Sequence, residues 1–177
     1  RAILAEARPD DPMLMGILLD RAASAGDMAQ ADRLTARLLE LQPENPQRYV
    51  QRLALLAERG DKPGIEAHLR ATIAKFPDNA HAKADLVRFH MGENQPDKAE
   101  AFLRELADAG VPVFFIRGNR DFLTGDAFLQ RSGMTGLSDP TVLVLGERRI
   151  LLSHGDALCL EDVDYQKFRA LSRSAAW

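Results

Sequence analysis

One cysteine, Cys159, stands among the 177 residues. A disulfide framework is therefore excluded, and a reducing compartment is expected. Long apolar runs are absent as well; the longest strongly apolar stretch is the short one at Val113–Ile116, far below what a bilayer-spanning helix needs. No charge of one sign dominates. Residues 1–110 hold 15 Lys/Arg against 18 Asp/Glu, and residues 111–177 hold 8 of each, with no like-charge run in either part. Electrostatics therefore points to no nucleic-acid partner. A signal-peptide pattern is missing too. The chain opens on Arg1 and ends at Trp177 just after a helix-like segment. Both ends read as cut, so a fragment or a fusion is expected.

What the sequence does have is a period. Pro9-Asp10-Asp11-Pro12, Pro43-Glu44-Asn45-Pro46 and Pro77-Asp78-Asn79-Ala80 follow one another at a step of 34 residues. Gly26-Asp27, Gly60-Asp61 and Asn94 keep the same step, as do Ala31, Ile65 and Ala99. Such a repeat is the mark of a stacked architecture. Each unit reads as two helices, at 13–25 and 28–41, 47–58 and 62–75, 81–91 and 96–109. Leu34, Leu38 and Leu41, or Leu53 and Leu56, fall at helical spacing. Small residues such as Ala31 and Ala67 are expected to let neighbouring helices approach. The Pro-acidic-Asn clusters stop one helix and cap the next. These units resemble tetratricopeptide repeats, in divergent form because the large aromatics of a strong consensus are missing from the first helices. Such stacks usually bind peptides or other proteins on a concave face, so a peptide or protein ligand is one reading and a spacer or truncated array the other. His68, His81 and His90 sit singly on helices and read as solvated surface residues.

At Gly110 the period breaks. Val111-Pro112-Val113-Phe114-Phe115-Ile116 reads as a strand buried on both faces. A helix is predicted at about Gly125–Arg131, stopped by Gly133. Thr141–Leu145 and Arg148–Ser153 read as a hairpin across Gly146-Glu147, with a type II′ turn. A last helix, about Val163–Ser172, can be capped by Asp162. Two strands thus deliver polar clusters at their C-terminal ends, Gly118-Asn119-Arg120-Asp121 and His154-Gly155-Asp156, where open α/β folds place sites. An Asn amide oxygen and a neutral imidazole are competent ligands for manganese-type ions. The planar fork of Arg120 suits a phosphate. Asp121, Asp126 and Asp156 read as turn residues or caps.

Three strings carry a second resemblance. They are Val111-Pro-Val-Phe-Phe-Ile-Arg-Gly-Asn-Arg-Asp-Phe-Leu-Thr-Gly125, Ser132-Gly-Met-Thr135, and Leu151-Leu-Ser-His-Gly-Asp-Ala-Leu-Cys-Leu-Glu-Asp-Val-Asp-Tyr-Gln-Lys-Phe-Arg169. Together they are similar to the UDP-2,3-diacylglucosamine pyrophosphohydrolases of lipid A synthesis, within the calcineurin-like metallophosphoesterases. The two resemblances together imply a fold in two parts. An α-helical repeat solenoid over residues 1–110 is followed by a partial α/β metallophosphoesterase segment over residues 111–177. The second resemblance also implies Asn119 and His154 as metal ligands. Asn119 and Arg120 become substrate-phosphate contacts, and Asp162 a contact to the acylated glucosamine. Arg117 stands where the family often has His. The implied cofactor is manganese, dinuclear in the family, and the implied reaction is pyrophosphate hydrolysis giving UMP and diacylglucosamine 1-phosphate. A cytoplasmic location, peripheral to the inner membrane for the intact enzyme, is implied with it. The family's Asp-x-His and Gly-His-x-His motifs are not found here, and the Gly-Asp pairs ahead of Val111 fall in the repeats, where the family has its metal-bridging Gly-Asp strand. Two ligands do not complete a dinuclear set, so no catalytic residue is assigned and the chain is expected to be inactive alone. Three readings follow: an enzyme-derived chain with half its site, a protein-binding repeat module carrying a passenger, and a fragment whose parts never act together. The junction is expected within helix 96–109.

Overall fold

The computed structural model describes residues 10–121 and 124–174. Pro9 of the first repeat cluster, Phe122-Leu123 of the family-like string, and Trp177 lie outside the described residues. Among the described residues no helix is long and apolar enough to cross a membrane. The chain forms two compact units, Arg1–Phe89 and His90–Trp177.

Six helices alternate at the repeat's step: α1 (Pro12–Ser24), α2 (Met28–Leu41), α3 (Pro46–Glu58), α4 (Lys62–Lys75), α5 (Ala80–Gly92) and α6 (Pro96–Asp108). The predicted bounds hold to within one residue. The physical reason is capping. Asp11, Asn45 and Asn79, 34 residues apart, each turn a side-chain oxygen onto a backbone N–H of the next helix, at 2.9, 3.0 and 3.0 Å. Asp27 and Asp61 do the same for α2 and α4, accepting from the N–H of Gln30 and Gly64 at 2.9 and 3.0 Å. Such caps satisfy amides that have no partner inside the helix. The residue before each of these, Gly26 or Gly60, lies in the left-handed region at φ +70° or +65°; the third equivalent, Asn94, lies there at +55°.

In the first unit the core is Met15, Leu19, Ala22, Ala31, Leu38 and Leu55, with Met28, Leu34 and Leu41 packed against it. Ala31 is fully buried, as the close approach of helices requires. Ala67 is not: it is exposed, because it falls on the outer face of α4, two residues from the buried Leu69. The histidines also divide. His81 is exposed. His68 is half-buried, stacks on Tyr49 with ring centroids 5.7 Å apart, and its Nε2 lies 2.8 Å from the Tyr49 carbonyl. His90 is fully buried. The surface reading therefore fails for His90 and in part for His68, since a periodicity argument cannot tell a buried imidazole from a solvated one.

In the second unit α6 packs on α7 (Asp126–Ser132). Arg131 grips Glu100 with two hydrogen bonds of 2.9 and 3.0 Å. A Cβ placed on Gly133 would stand 2.5 Å from the Cβ of Ala107, so the end of α7 and α6 touch backbone to side chain. Gly133 closes α7 as expected, at φ +71°. Strand β1 (Phe114–Ile116) pairs in parallel with β2 (Thr135–Leu137), α7 making the crossover. The strand predicted over Val111–Ile116 is thus shorter and is not buried on both faces; Phe114 remains 52% exposed, because β2 is its one strand partner among the described residues. Strands β3 (Thr141–Leu145) and β4 (Arg148–Leu152) form a separate antiparallel hairpin, Leu145 opposite Arg148. Gly146 at φ +60°, followed by a residue of negative φ, fits the type II′ turn. Both faces of the hairpin carry apolar residues, and Val144 and Leu151 are 62% and 67% exposed. A 3-10 turn (Asp156–Leu158) leads to α8 (Val163–Ser172), capped by Asp162 as predicted, with its Oδ1 3.0 Å from the N–H of Tyr165.

Candidate functional site

The two polar clusters leave β1 and β4, in different sheets, and meet. Gly118 is buried, and the space a Cβ would need there is filled by the imidazole of His154, its Cδ2 2.5 Å from that position. Only a glycine lets the ring lie so close. Asn119 and Arg120, the next two residues, are exposed. The turn that presents them is closed by Asp121, whose carboxylate accepts from the Gly118 N–H. Asp121 is thereby the turn residue the sequence suggested. Arg117 is fixed by donating to the Thr124 carbonyl at 2.8 Å and to Asp126 at 3.0 Å.

His154 is held from behind. Its backbone N–H donates to Asp139 Oδ1 at 3.2 Å, and the Ser153 hydroxyl donates to the same oxygen at 2.7 Å. Its Nδ1 lies 3.7 Å from Asp156 Oδ1. Asp156 is the hub of the region. Its side chain is 4% exposed and accepts from the Tyr165 hydroxyl, from Arg169 Nε at 3.2 Å and from Arg173 Nη2 at 2.9 Å. Burial pushes the carboxyl up, but the hydrogen bonds from Tyr165, Arg173 and Arg169 outweigh it and hold the group well below the usual carboxylate range. Asp139 is lowered too, chiefly by the Ser153 hydroxyl. A second Arg169 amino group reaches Asp139 Oδ2 at 3.3 Å. Asp156 is thus an ion-pair anchor rather than a turn residue or cap. Asp126 opens α7 and pairs with Arg117. Asp162 is exposed at the start of α8, engaged as its cap.

Of the sequence-derived site residues, Asn119, Arg120 and His154 come from neighbouring turns that pack on one another. The sequence assigns no role to Asp139, Tyr165, Arg169 or Arg173. The spacing of Arg169 and Arg173, one helical turn apart, was the one available signal. As a metal set the arrangement is partial. Among the described residues no three His, Cys, Asp or Glu side chains gather where an ion could be held. Asn119 and His154 can offer two donors, while the nearest carboxylates are already taken by guanidinium and amide groups. The donors among the described residues do not fit a pair of ions unaided.

The chain joins helical repeats to a strand-and-turn segment with a clustered polar site. The tetratricopeptide repeat family matches residues 56–111. Over a longer stretch the chain is similar to UDP-2,3-diacylglucosamine hydrolases. The relative in Aeromonas hydrophila subsp. hydrophila is 41% identical over 130 residues, which cover 71% of this chain and 54% of that protein. The one in Stenotrophomonas maltophilia is 38% identical over 143 residues, 78% of this chain and 52% of its own. The one in Escherichia coli is 40% identical over 129 residues, covering 69% and 52%. Both expected resemblances are therefore real, and the chain spans about half the length of the curated relatives it matches. An alignment of 130 residues is longer than the 67 from Val111 to Trp177, so the likeness also takes in helical residues before the strand segment.

Proposed function

We propose that this chain carries the phosphate-facing part of a UDP-2,3-diacylglucosamine hydrolase, a lipid A synthesis enzyme acting on a pyrophosphate bond. The observation that supports it most is the seating of the His154 ring against Gly118, the residue directly before Asn119 and Arg120. In this reading Arg120 binds the substrate's phosphate through its planar fork. Asn119 and His154 supply an amide oxygen and an imidazole nitrogen toward manganese, which when bound would polarise the phosphoryl group. Asp139 and Ser153 fix the backbone that carries His154, and Asp162 faces the sugar. The segment is a calcineurin-like metallophosphoesterase piece, and hydrolysis to UMP and diacylglucosamine 1-phosphate needs donors additional to these two.

The test is a manganese titration of the chain followed by NMR, with turnover of UDP-2,3-diacylglucosamine assayed in parallel. Paramagnetic broadening should centre on Asn119 and His154 and vanish in His154→Ala, with no turnover in either. Broadening elsewhere, or none, would remove the metal assignment. Turnover that His154→Ala abolishes would show that the chain does supply a working set.

The match to tetratricopeptide repeats favours a second reading, in which the helices bind a protein or peptide and the last third is a passenger. A fusion would produce this arrangement. Capture of one defined peptide by the chain, unaffected by Arg120→Ala, would support it.

A further inference from the structure

A small cavity of about 50 Å³ in the first unit is lined by His68 of α4, by Tyr49 and Val50 of α3, and by His81 and Asp85 of α5. The His68 ring ties two of these helices together. Its Nε2 lies 2.8 Å from the Tyr49 carbonyl, and its face stacks on the Tyr49 ring. Tyr49 is held in turn from two sides. Its ring meets Phe76, just past the end of α4, edge-on at 5.0 Å, and its hydroxyl donates to the Pro43 carbonyl at 3.0 Å. A carbonyl only accepts, so Nε2 carries the proton of the neutral His68 ring. A second proton has to go to Nδ1, and it makes a half-buried cation. The charged neighbours offer that cation little. Arg52 of α3 has the same sign, and His81 of α5 can only add to it. Asp85 is the one carboxylate among the lining residues, and it is already paired with Arg88. Burial is the larger effect: with the Arg52 charge it holds His68 below the ordinary imidazole range, although the Tyr49 carbonyl opposes both.

We propose that His68 is a proton-sensitive joint of the repeats: neutral, it fastens α3 to α4 through Tyr49, and protonated, it loosens them. The sign follows from linkage. The unfolded chain takes up the proton more readily, so the joint is complete above the ordinary imidazole range and weakens as pH falls through that range and below. The joint is separate from the reading of Asn119 and His154, which belong to the second unit.

The test uses the full chain. The ring protons of His68, assigned by their absence in His68→Gln, are followed by NMR against pH in the folded chain and in urea. The folded midpoint should be the lower of the two. Protection of the α3 and α4 amides against hydrogen exchange is then compared at about pH 7.5 and about pH 5.5, on either side of the imidazole range and above that of carboxylates. The wild type should lose protection by at least about twofold in acid. His68→Gln can still donate to the Tyr49 carbonyl but takes no proton, and it should keep its protection. A folded midpoint equal to or above the one in urea would mean that the Tyr49 ring face favours the cation, and it overturns the proposal. An equal loss of protection in His68→Gln, or no loss in the wild type, overturns it as well.

Discussion

The ring of His154 occupies the space where Gly118 would carry a side chain, and this contact joins the two strand-end clusters of the second unit. Gly118→Ala should therefore move His154 rather than unfold the chain. The ring is 37% exposed and has room to swing outward. A stability loss of about 1 kcal/mol or less is expected, since overpacking is relieved by one side-chain rotation. The His154 ring resonances should shift strongly while those of Tyr165 stay in place. An unchanged His154 environment in Gly118→Ala would mean that the contact is not close.

Asp156 should be the acid-sensitive point of the second unit. Its folded pKa lies below the unfolded value, so its contribution is complete above the ordinary carboxylate range and falls away as pH drops through that range and below. Asp156→Ala leaves Arg169 and Arg173 without their shared acceptor and should cost about 3 kcal/mol near neutral pH. The loss should shrink in acid, because the wild type then loses the same interaction. Denaturant unfolding at pH 7 and at low pH checks both statements.

The sequence revealed local structure and concealed this network for one reason. Helix bounds follow from caps and left-handed residues within three or four positions of each other, such as Asp61 with Gly64. The hydrogen bonds around Asp156 and Asp139 join residues as far apart as Asp139 and Arg169, and no local pattern encodes which charges meet. The same blindness misplaced His90, read as solvated, and overstated the burial of β1, whose second face depends on what lies across the sheet.

Two glycines that share a positive φ should respond differently to alanine. Gly146 is at φ +60° with open space around it, so Gly146→Ala should cost about 1 kcal/mol of backbone strain alone. Gly133 is at φ +71° and a Cβ there would collide with Ala107. Gly133→Ala should cost about 2 kcal/mol or more, adding an overpacking term to the strain. Paired urea melts of the two variants measure the difference; equal losses would mean that α6 does not press on the end of α7.

The third repeat offers a gain rather than a loss. Where the first two turns have Gly26-Asp27 and Gly60-Asp61, the third has Asn94-Gln95, with Asn94 at φ +55° and Gln95 making no side-chain cap. The Gln95 side-chain oxygen is buried without a partner. Asn94→Gly relieves the left-handed strain, and Gln95→Asp supplies a short carboxylate that can accept from the first amides of α6 and favours the positive end of that helix. The double variant should be more stable by about 1 kcal/mol, seen as a higher melting temperature with unchanged helix content. No gain would mean that α6 already satisfies its first amides without a cap, and that the third turn, though in register with the other two, is stabilised differently.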